Sequence, residues 1–347
     1  MTSAGSMHDT AYEADYQTVL ARAQRTVAGF PPALKSIAEP MLPQWGEASF
    51  SRIVALLPYW IADLLDRAPT LHAGPCIPHP GDTETLALAN LLGWWSYLIQ
   101  DELIDGDLDP GEFLPLSMAL HASAVSQLAQ LLPGDRAFWG TFECLSLASS
   151  EASAWEQRLR LDHLKDRTTI DPDLVDPDRL ADRSALLQLA VVAQFALRGL
   201  DREHPLYAAL GEMLRHYAIA RQIADVRSDW VQDLQNGQVN FVSVRILRRM
   251  LETGAIESLA ELDVERMVGY TLYDEALFAG IQQEAIDACR RAAQCIAPYR
   301  SRLLDSLVSD LAHDLERNHQ VARKSRRQVQ AVFALHGKGS VQDLRSL

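Results

Sequence analysis

Residues 86–105 read LALANLLGWWSYLIQDELID, and the meaning of this stretch decides the fold. From Thr85 to Gln100 there is no Asp, Glu, Lys or Arg, and the apolar residues fall on every side of a helix of 3.6-residue period. A helix that is apolar all round is one surrounded by other helices. A second segment of this kind, ALLQLAVVAQFAL, covers 185–197. Strict alternation of β-branched residues around Gly-Asn turns, the mark of strands, is nearly absent. The fold class expected is all-α, a helical bundle with 83–104 and 183–199 at its centre.

Two stretches free of Asp, Glu, Lys and Arg, Thr85–Gln100 and Phe113–Gly134, do not read as membrane spans. Thr85–Gln100 falls short of the ~20 apolar residues a span needs, and it runs into Asp101-Glu102 without a basic flank. Phe113–Gly134 is longer, but Pro115, His121 and Gln127 interrupt it and Glu112 and Asp135 border it. No secretory signal is evident in the acidic, polar start of the chain. A cytoplasmic protein with no transmembrane segment is expected.

Outward from the central segments, Gly and Pro mark the boundaries: Phe30-Pro31-Pro32, Gly74 to Gly81, Asp109-Pro110-Gly111, Pro133-Gly134 and Asp171 to Pro177. Apolar residues at spacings of three and four predict helices at about 47–66, 83–104, 113–131, 136–162, 178–199, 205–234, 239–253, 263–280 and 281–317. The 347 residues carry 46 Asp+Glu against 32 Lys+Arg, a net charge of −14. That surplus argues against nucleic acid as a partner, because a duplex binder needs a basic face. Cys76, Cys144, Cys289 and Cys295 are scattered, without the spacing of a zinc site. The segment Glu316–Arg327 is basic against the trend of the chain.

Two acidic clusters carry the chemistry. Asp101, Glu102 and Asp105, with Asp107 just beyond, sit at the C-terminal end of a buried helix, where the macrodipole is already negative. Residues four apart share a helix face about 6 Å apart along the axis, so Asp101 and Asp105 can hold a hard cation. Asp225, Asp229 and Asp233 recur at i, i+4 and i+8, an acidic stripe across two turns set among Ile223, Val226 and Trp230. Like charges so spaced repel by roughly 0.2–0.5 kcal/mol per pair; Arg221 and Arg227 can offset them as a surface lattice, or a metal can. Oxygen-only ligands suit Mg²⁺, which accepts one or two carboxylates and completes its shell with water and phosphate.

The run from Leu91 to Asp107 resembles the aspartate-rich first motif of class I isoprenoid enzymes, the superfamily of terpene synthases and trans-prenyl diphosphate synthases. Asp225, Asp229 and Asp233, followed by Gly237 and Asn240, resemble the second metal motif of terpene synthases. The resemblance implies one helical domain over 31–320 with a central active-site cavity, preceded by a partly flexible segment 1–30 and followed by a basic helix or tail over 321–347. It further implies three Mg²⁺ ions, with Asp101 and Asp105 ligating two and Asp225, Asp229 and Asp233 the third, around the diphosphate of a small-molecule prenyl substrate. Paired subunits, a homodimer, are common in the family. Arg179, 46 residues before Asp225, matches in placement the arginine that senses diphosphate in bacterial members. Arg183, one turn on, and Arg227, beside the second motif, are further candidates for substrate binding. Trp94 and Tyr97 lie one to two turns inside the first motif, where aromatic faces can stabilise an allylic cation.

Departures narrow the function. Glu102 replaces the second aspartate of the commonest first motif and keeps its charge. Nothing between 31 and 90 resembles the Gly-Lys-x-x-Arg-Pro stretch with which chain-elongating synthases bind isopentenyl diphosphate, which favours a one-substrate reaction. Asp229, where terpene synthases carry Ser or Thr, is closer to the prenyl and squalene synthases. The Arg-Tyr pair near the C-terminus of many bacterial terpene synthases is not evident, and Arg317, Arg323 and Arg326 are its candidate substitutes. The expectation is a Mg²⁺-dependent class I terpene synthase that ionises a linear prenyl diphosphate to a hydrocarbon or alcohol. The alternatives are a condensing trans-prenyltransferase, including the squalene or phytoene synthase type, and a non-catalytic helical partner protein.

Overall fold

Capping chemistry sets the helix boundaries in the computed structural model. It describes residues 12–67, 76, 78–164, 170, 174, 176–261 and 264–335, of which 80, 228, 261, 272, 273, 275, 322, 325, 326 and 329–335 are described in backbone only. In chain order the helices are α1 (Glu13–Ala28), α2 (Pro32–Ala38), α3 (Leu42–Glu47), α4 (Ser49–Arg67), α5 (Pro80–Asp105), α6 (Pro110–Leu131), α7 (Arg136–Glu156), α8 (Leu161–Leu164), α9 (Pro177–Arg183), α10 (Leu189–Leu197), α11 (Pro205–Gln235), α12 (Phe241–Glu252), α13 (Val264–Tyr273), α14 (Glu275–Ile296) and α15 (Arg302–Leu335). Among the described residues there is no strand, only an isolated bridge between Arg160 and Gln238. The all-α expectation is borne out, and no single described helix is long and apolar enough to cross a membrane.

Several boundaries differ from the periodic reading. Three helices lie before residue 47, where none was expected; α1 buries Tyr16, Val19, Ala23 and Val27, a spacing of three and four that Glu, Arg and Gln neighbours dilute. The stretch 178–199 is not one helix but α9, a 3₁₀ turn at Ala185–Gln188 and α10. Its break is held by side chains: Ser149 Oγ donates to the Arg183 carbonyl at 2.8 Å, and Gln222 Nε2 to Ser184 Oγ at 3.2 Å. The first takes up a carbonyl that a continuous helix would pair internally. The helix expected at 281–317 is interrupted around Pro298, where Arg300 adopts φ 51°.

The chain divides into two compact units, the first comprising 1–145, 186–211 and 296–306, the second 146–185, 212–295 and 307–347. In the first, α5 packs against α1, α4, α6 and α10, which explains why its sequence is apolar on every face. The α5–α6 contact also contains a buried polar clasp. Ser96 Oγ and Ser117 Oγ lie 3.0 Å apart, and Gln100 Nε2 donates to both, at 3.2 and 3.0 Å. Buried hydroxyls require such partners, and this set fixes the register of α5 one turn before Asp101.

In the second unit α12 packs on α13, and Arg245 of α12 makes a bidentate pair with Glu284 of α14 at 2.6 and 2.8 Å. Gln282, also on α14 and 2% exposed, accepts from Arg227 Nη1 of α11. Its amide donates to the Leu315 carbonyl of α15 at 2.8 Å. One buried amide thus ties three helices.

Candidate active site

The first acidic cluster ends α5. Gly106 takes a left-handed φ of 83°, and the Asp107 amide returns to the Glu102 carbonyl at 2.9 Å, closing the helix in the manner that glycine at this position permits. Asp109 then caps α6, accepting from the amides of Gly111 and Glu112 at 2.7 and 3.2 Å. The two caps fix Asp101 and Asp105 at a helix end, half-buried and exposed respectively. Burial, followed by the charges of Asp107 and Asp101, raises the pKa of Glu102.

Trp94 and Tyr97 share the Asp101 face of α5, since steps of −7 and −4 residues return to within about 40° of it. They stack with ring centroids 5.5 Å apart, and Phe50 of α4 meets Trp94 edge-on at 4.7 Å. Trp94 Nε1 is buried without a hydrogen-bond partner. The aromatic pair was legible in the sequence; Phe50, distant along the chain, was not.

The second cluster lies on α11. Asp225 pairs with Arg221, one turn earlier, at 3.5 Å, the lattice contact that the spacing allowed. Burial raises the pKa of Asp229. Asp233 accepts from Asn240 Nδ2 at 2.6 Å. Gly237, with φ 74°, turns the chain after α11, and the Gln238 amide bonds back to the Asp233 carbonyl at 2.8 Å. Gly237 and Asn240 therefore do distinct local work: one ends the motif helix, and the other orients its last carboxylate while capping α12.

The arginines are placed differently from one another. Arg179 stacks over the Trp155 ring, 5.2 Å from its centroid. Arg183 pairs with Glu156 at 2.6 Å, with side chains 13% and 11% exposed. Arg227 meets Gln282 on the side of α11 opposite the carboxylate stripe, about 160° round the helix from Asp225. Glu156 and Gln282 were missed in the sequence, where a single polar residue in an amphipathic run carries little signal. Of the C-terminal candidates, Arg317 pairs with Asp314 at 2.6 Å, Arg323 is exposed, and the Arg326 side chain lies outside the described residues.

Among the described residues no group of three or more His, Cys, Asp or Glu side chains is arranged to hold a metal by itself. Within the stripe, Asp225 pairs with Arg221 and Asp233 accepts from Asn240. The donor chemistry still fits Mg²⁺. That ion takes oxygen ligands, accepts one or two carboxylates, and draws the rest from water and phosphate; the raised pKa values of Glu102 and Asp229 mark carboxylates that a cation would stabilise in the charged form.

No protein-family model matches the chain, and neither does any curated protein sequence. Solved structures do. A polyprenyl synthase from Roseobacter denitrificans is similar with TM-score 0.63 and 16% identity, covering 89% of this chain and 97% of that one. A geranylgeranyl pyrophosphate synthase from Lactobacillus brevis gives TM-score 0.63 and 16% identity over 87% and 96%. A geranylgeranyl pyrophosphate synthetase from the archaeon Geoglobus acetivorans gives TM-score 0.65 and 16% identity over 89% and 99%. The fold is that of the class I isoprenoid enzymes, as the two acidic motifs implied. The expectation of a terpene cyclase is corrected, because these structures are prenyl chain-elongating synthases. That expectation leaned on a missing contiguous basic motif, and a diphosphate pocket can equally be assembled from residues far apart in sequence. Asp229 was the residue that pointed the other way.

Proposed function

We propose that this protein is a Mg²⁺-dependent condensing trans-prenyltransferase. The observation that carries the reading is the pair of aspartate motifs, Asp101/Asp105 and Asp225/Asp229/Asp233, in a chain whose fold is shared with prenyl diphosphate synthases over most of its length. Mg²⁺, when bound, supplies Lewis-acid stabilisation of the departing diphosphate. The five aspartates are the residues that would hold it.

The remaining work falls to the chain. Asn240 orients Asp233, and the Ser96–Ser117–Gln100 clasp sets the height of Asp101. Arg179 is the candidate for binding diphosphate oxygens; Arg183 would first have to exchange Glu156 for them. Stacked Trp94 and Tyr97 present aromatic faces beside the first motif, where they attract positive charge and exclude water. In the reaction the allylic C–O bond breaks with its electron pair leaving on diphosphate. The double bond of a second prenyl unit then attacks the cation, and loss of a proton restores neutrality.

The test is incubation with an allylic diphosphate and Mg²⁺, with and without isopentenyl diphosphate. A longer prenyl diphosphate formed only when both substrates are present supports the reading. No product from geranyl, farnesyl or geranylgeranyl diphosphate under either condition overturns it.

A further inference from the structure

From the last turn of α7 to the start of α8 the chain reads Trp155-Glu-Gln-Arg-Leu-Arg-Leu161. This short stretch meets both candidate arginines and the turn behind Asp233. Its first two residues close α7: the Trp155 ring lies under Arg179, with 5.2 Å from guanidinium carbon to centroid, and the buried Glu156 pairs with Arg183 at 2.6 Å. Two tight bonds follow, from the Arg158 amide to the Trp155 carbonyl at 3.0 Å and from the Leu159 amide to the Glu156 carbonyl at 2.9 Å. The next residues run antiparallel to 237–239. The Leu161 amide donates to the Gly237 carbonyl at 2.9 Å and the Val239 amide to the Leu159 carbonyl at 2.8 Å, enclosing the bridge of Arg160 with Gln238. Arg160 Nη1 also donates to the Asn236 carbonyl at 3.4 Å, a cation at the negative end of α11.

The pairing meets a need set by the turn. Gly237, at φ 74°, leads the chain out of α11, and Val239 and Asn240 are then buried, at 0% and 2% exposed. A buried amide requires a partner, and the Leu159 carbonyl is the one Val239 finds. Asn240, the next residue, donates to Asp233 Oδ2, and the Gln238 amide to the Asp233 carbonyl. The bridge therefore fixes the peptide units that support the last carboxylate of the stripe. Trp155, Glu156, Arg179, Arg183, Asp233 and Asn240 all belong to the second compact unit.

We infer that Trp155–Leu161 is a positioning element, which sets the diphosphate arginines and the last carboxylate of the stripe in one register. Its helical end holds Arg179 and Arg183, and its extended end holds the turn that orients Asp233. The two ends are joined by a short, hydrogen-bonded backbone, so a displacement of the turn is passed to the arginines. The inference rests on the proposed reading that Asp233 helps to hold Mg²⁺ with a diphosphate. None of the seven residues 155–161 has to touch substrate for it to act.

The experiment is titration calorimetry of the full chain with inorganic pyrophosphate in the presence of Mg²⁺. Leu161→Pro removes the amide donated to Gly237 and disturbs little else: Leu161 opens α8, where proline is tolerated, and Arg160 before it lies in the bridge, in the extended backbone that a residue preceding proline prefers. Leu161→Ala removes the side chain and keeps the amide. Leu161→Pro should weaken pyrophosphate binding about 10-fold, the low end of what support around a metal ligand is worth, while Leu161→Ala should stay within about twofold of the wild type. In the wild type, hydrogen exchange at the Leu161 and Val239 amides should slow when Mg²⁺ and pyrophosphate are added, a readout independent of either variant. Wild-type affinity in Leu161→Pro, an equal loss in both variants, or unaltered exchange at both amides would overturn the inference and leave the prenyltransferase reading standing. No pyrophosphate binding by the wild type at any Mg²⁺ concentration would overturn both.

Discussion

Asn240 donates through Nδ2 to Asp233 at 2.6 Å while its Oδ1 accepts from the amides of Val242 and Ser243, each at 3.0 Å. One buried amide therefore couples the last carboxylate of the stripe to the cap of the next helix. Asn240→Ala is expected to destabilise the fold by about 1 kcal/mol through loss of the cap, read by urea denaturation. Asn240→Asp keeps the two acceptor bonds but sets a carboxylate against Asp233. Support of this kind around metal ligands is typically worth 10–100-fold, so the Mg²⁺ concentration for half-maximal turnover should rise by about that factor. An unchanged Mg²⁺ requirement would count against a ligand role for Asp233.

Arg227 and Gln282 lie behind the stripe rather than on it. Gln282→Leu removes the amide between Arg227 and the Leu315 carbonyl and should lower stability by about 1–3 kcal/mol. Because Arg227 points away from Asp225, Arg227→Gln should leave KM for the allylic diphosphate within about twofold. A large rise in KM would instead make Arg227 a direct substrate contact.

His216 predicts an acid-side weakness. Burial first, and then the nearby Arg291, hold its pKa below the usual 6.5, and its Nδ1 is buried without a hydrogen-bond partner. A histidine depressed in the folded state contributes stability above its unfolded pKa, and that contribution is lost as pH falls through the folded value. The thermal midpoint should fall between about pH 7 and pH 5, and less steeply in His216→Gln. Parallel profiles would exclude His216 as the cause.

The thiols divide by burial. Cys76 and Cys144 are exposed, whereas Cys289 is buried and its pKa is pushed up to about 12 by desolvation. Alkylation of the native protein at mild alkaline pH should modify Cys76 and Cys144 and spare Cys289 until denaturant is added. Native modification of Cys289 would show that α14 opens.

What could be read in the sequence followed local periodicity. The all-round apolar run of α5 announced a helix buried among helices, whereas the turns at Gly106 and Gly237 that end the motif helices, and the cap at Asn240, are visible only in the structure. Tyr16, Val19, Ala23 and Val27 form the buried face of α1, but charged residues between them lower the contrast, and the helix went unread. Contacts between distant residues were beyond reach in principle. Phe50 against Trp94, Glu156 against Arg183, and Gln282 against Arg227 join positions 27 to 55 residues apart, where no periodicity applies. The choice between cyclisation and condensation turned on a motif's absence, a weak argument beside the presence of Asp229.

The central claim is tested most directly by the transfer of label from isopentenyl diphosphate into a longer prenyl diphosphate, measured for the wild-type chain, Asp101→Asn and Asp225→Asn. The account predicts Mg²⁺-dependent incorporation by the wild type, abolished by a chelator, and a loss of about 100-fold or more in each variant with an unchanged unfolding midpoint. No incorporation by the wild type, or variants as active as the wild type, would contradict it.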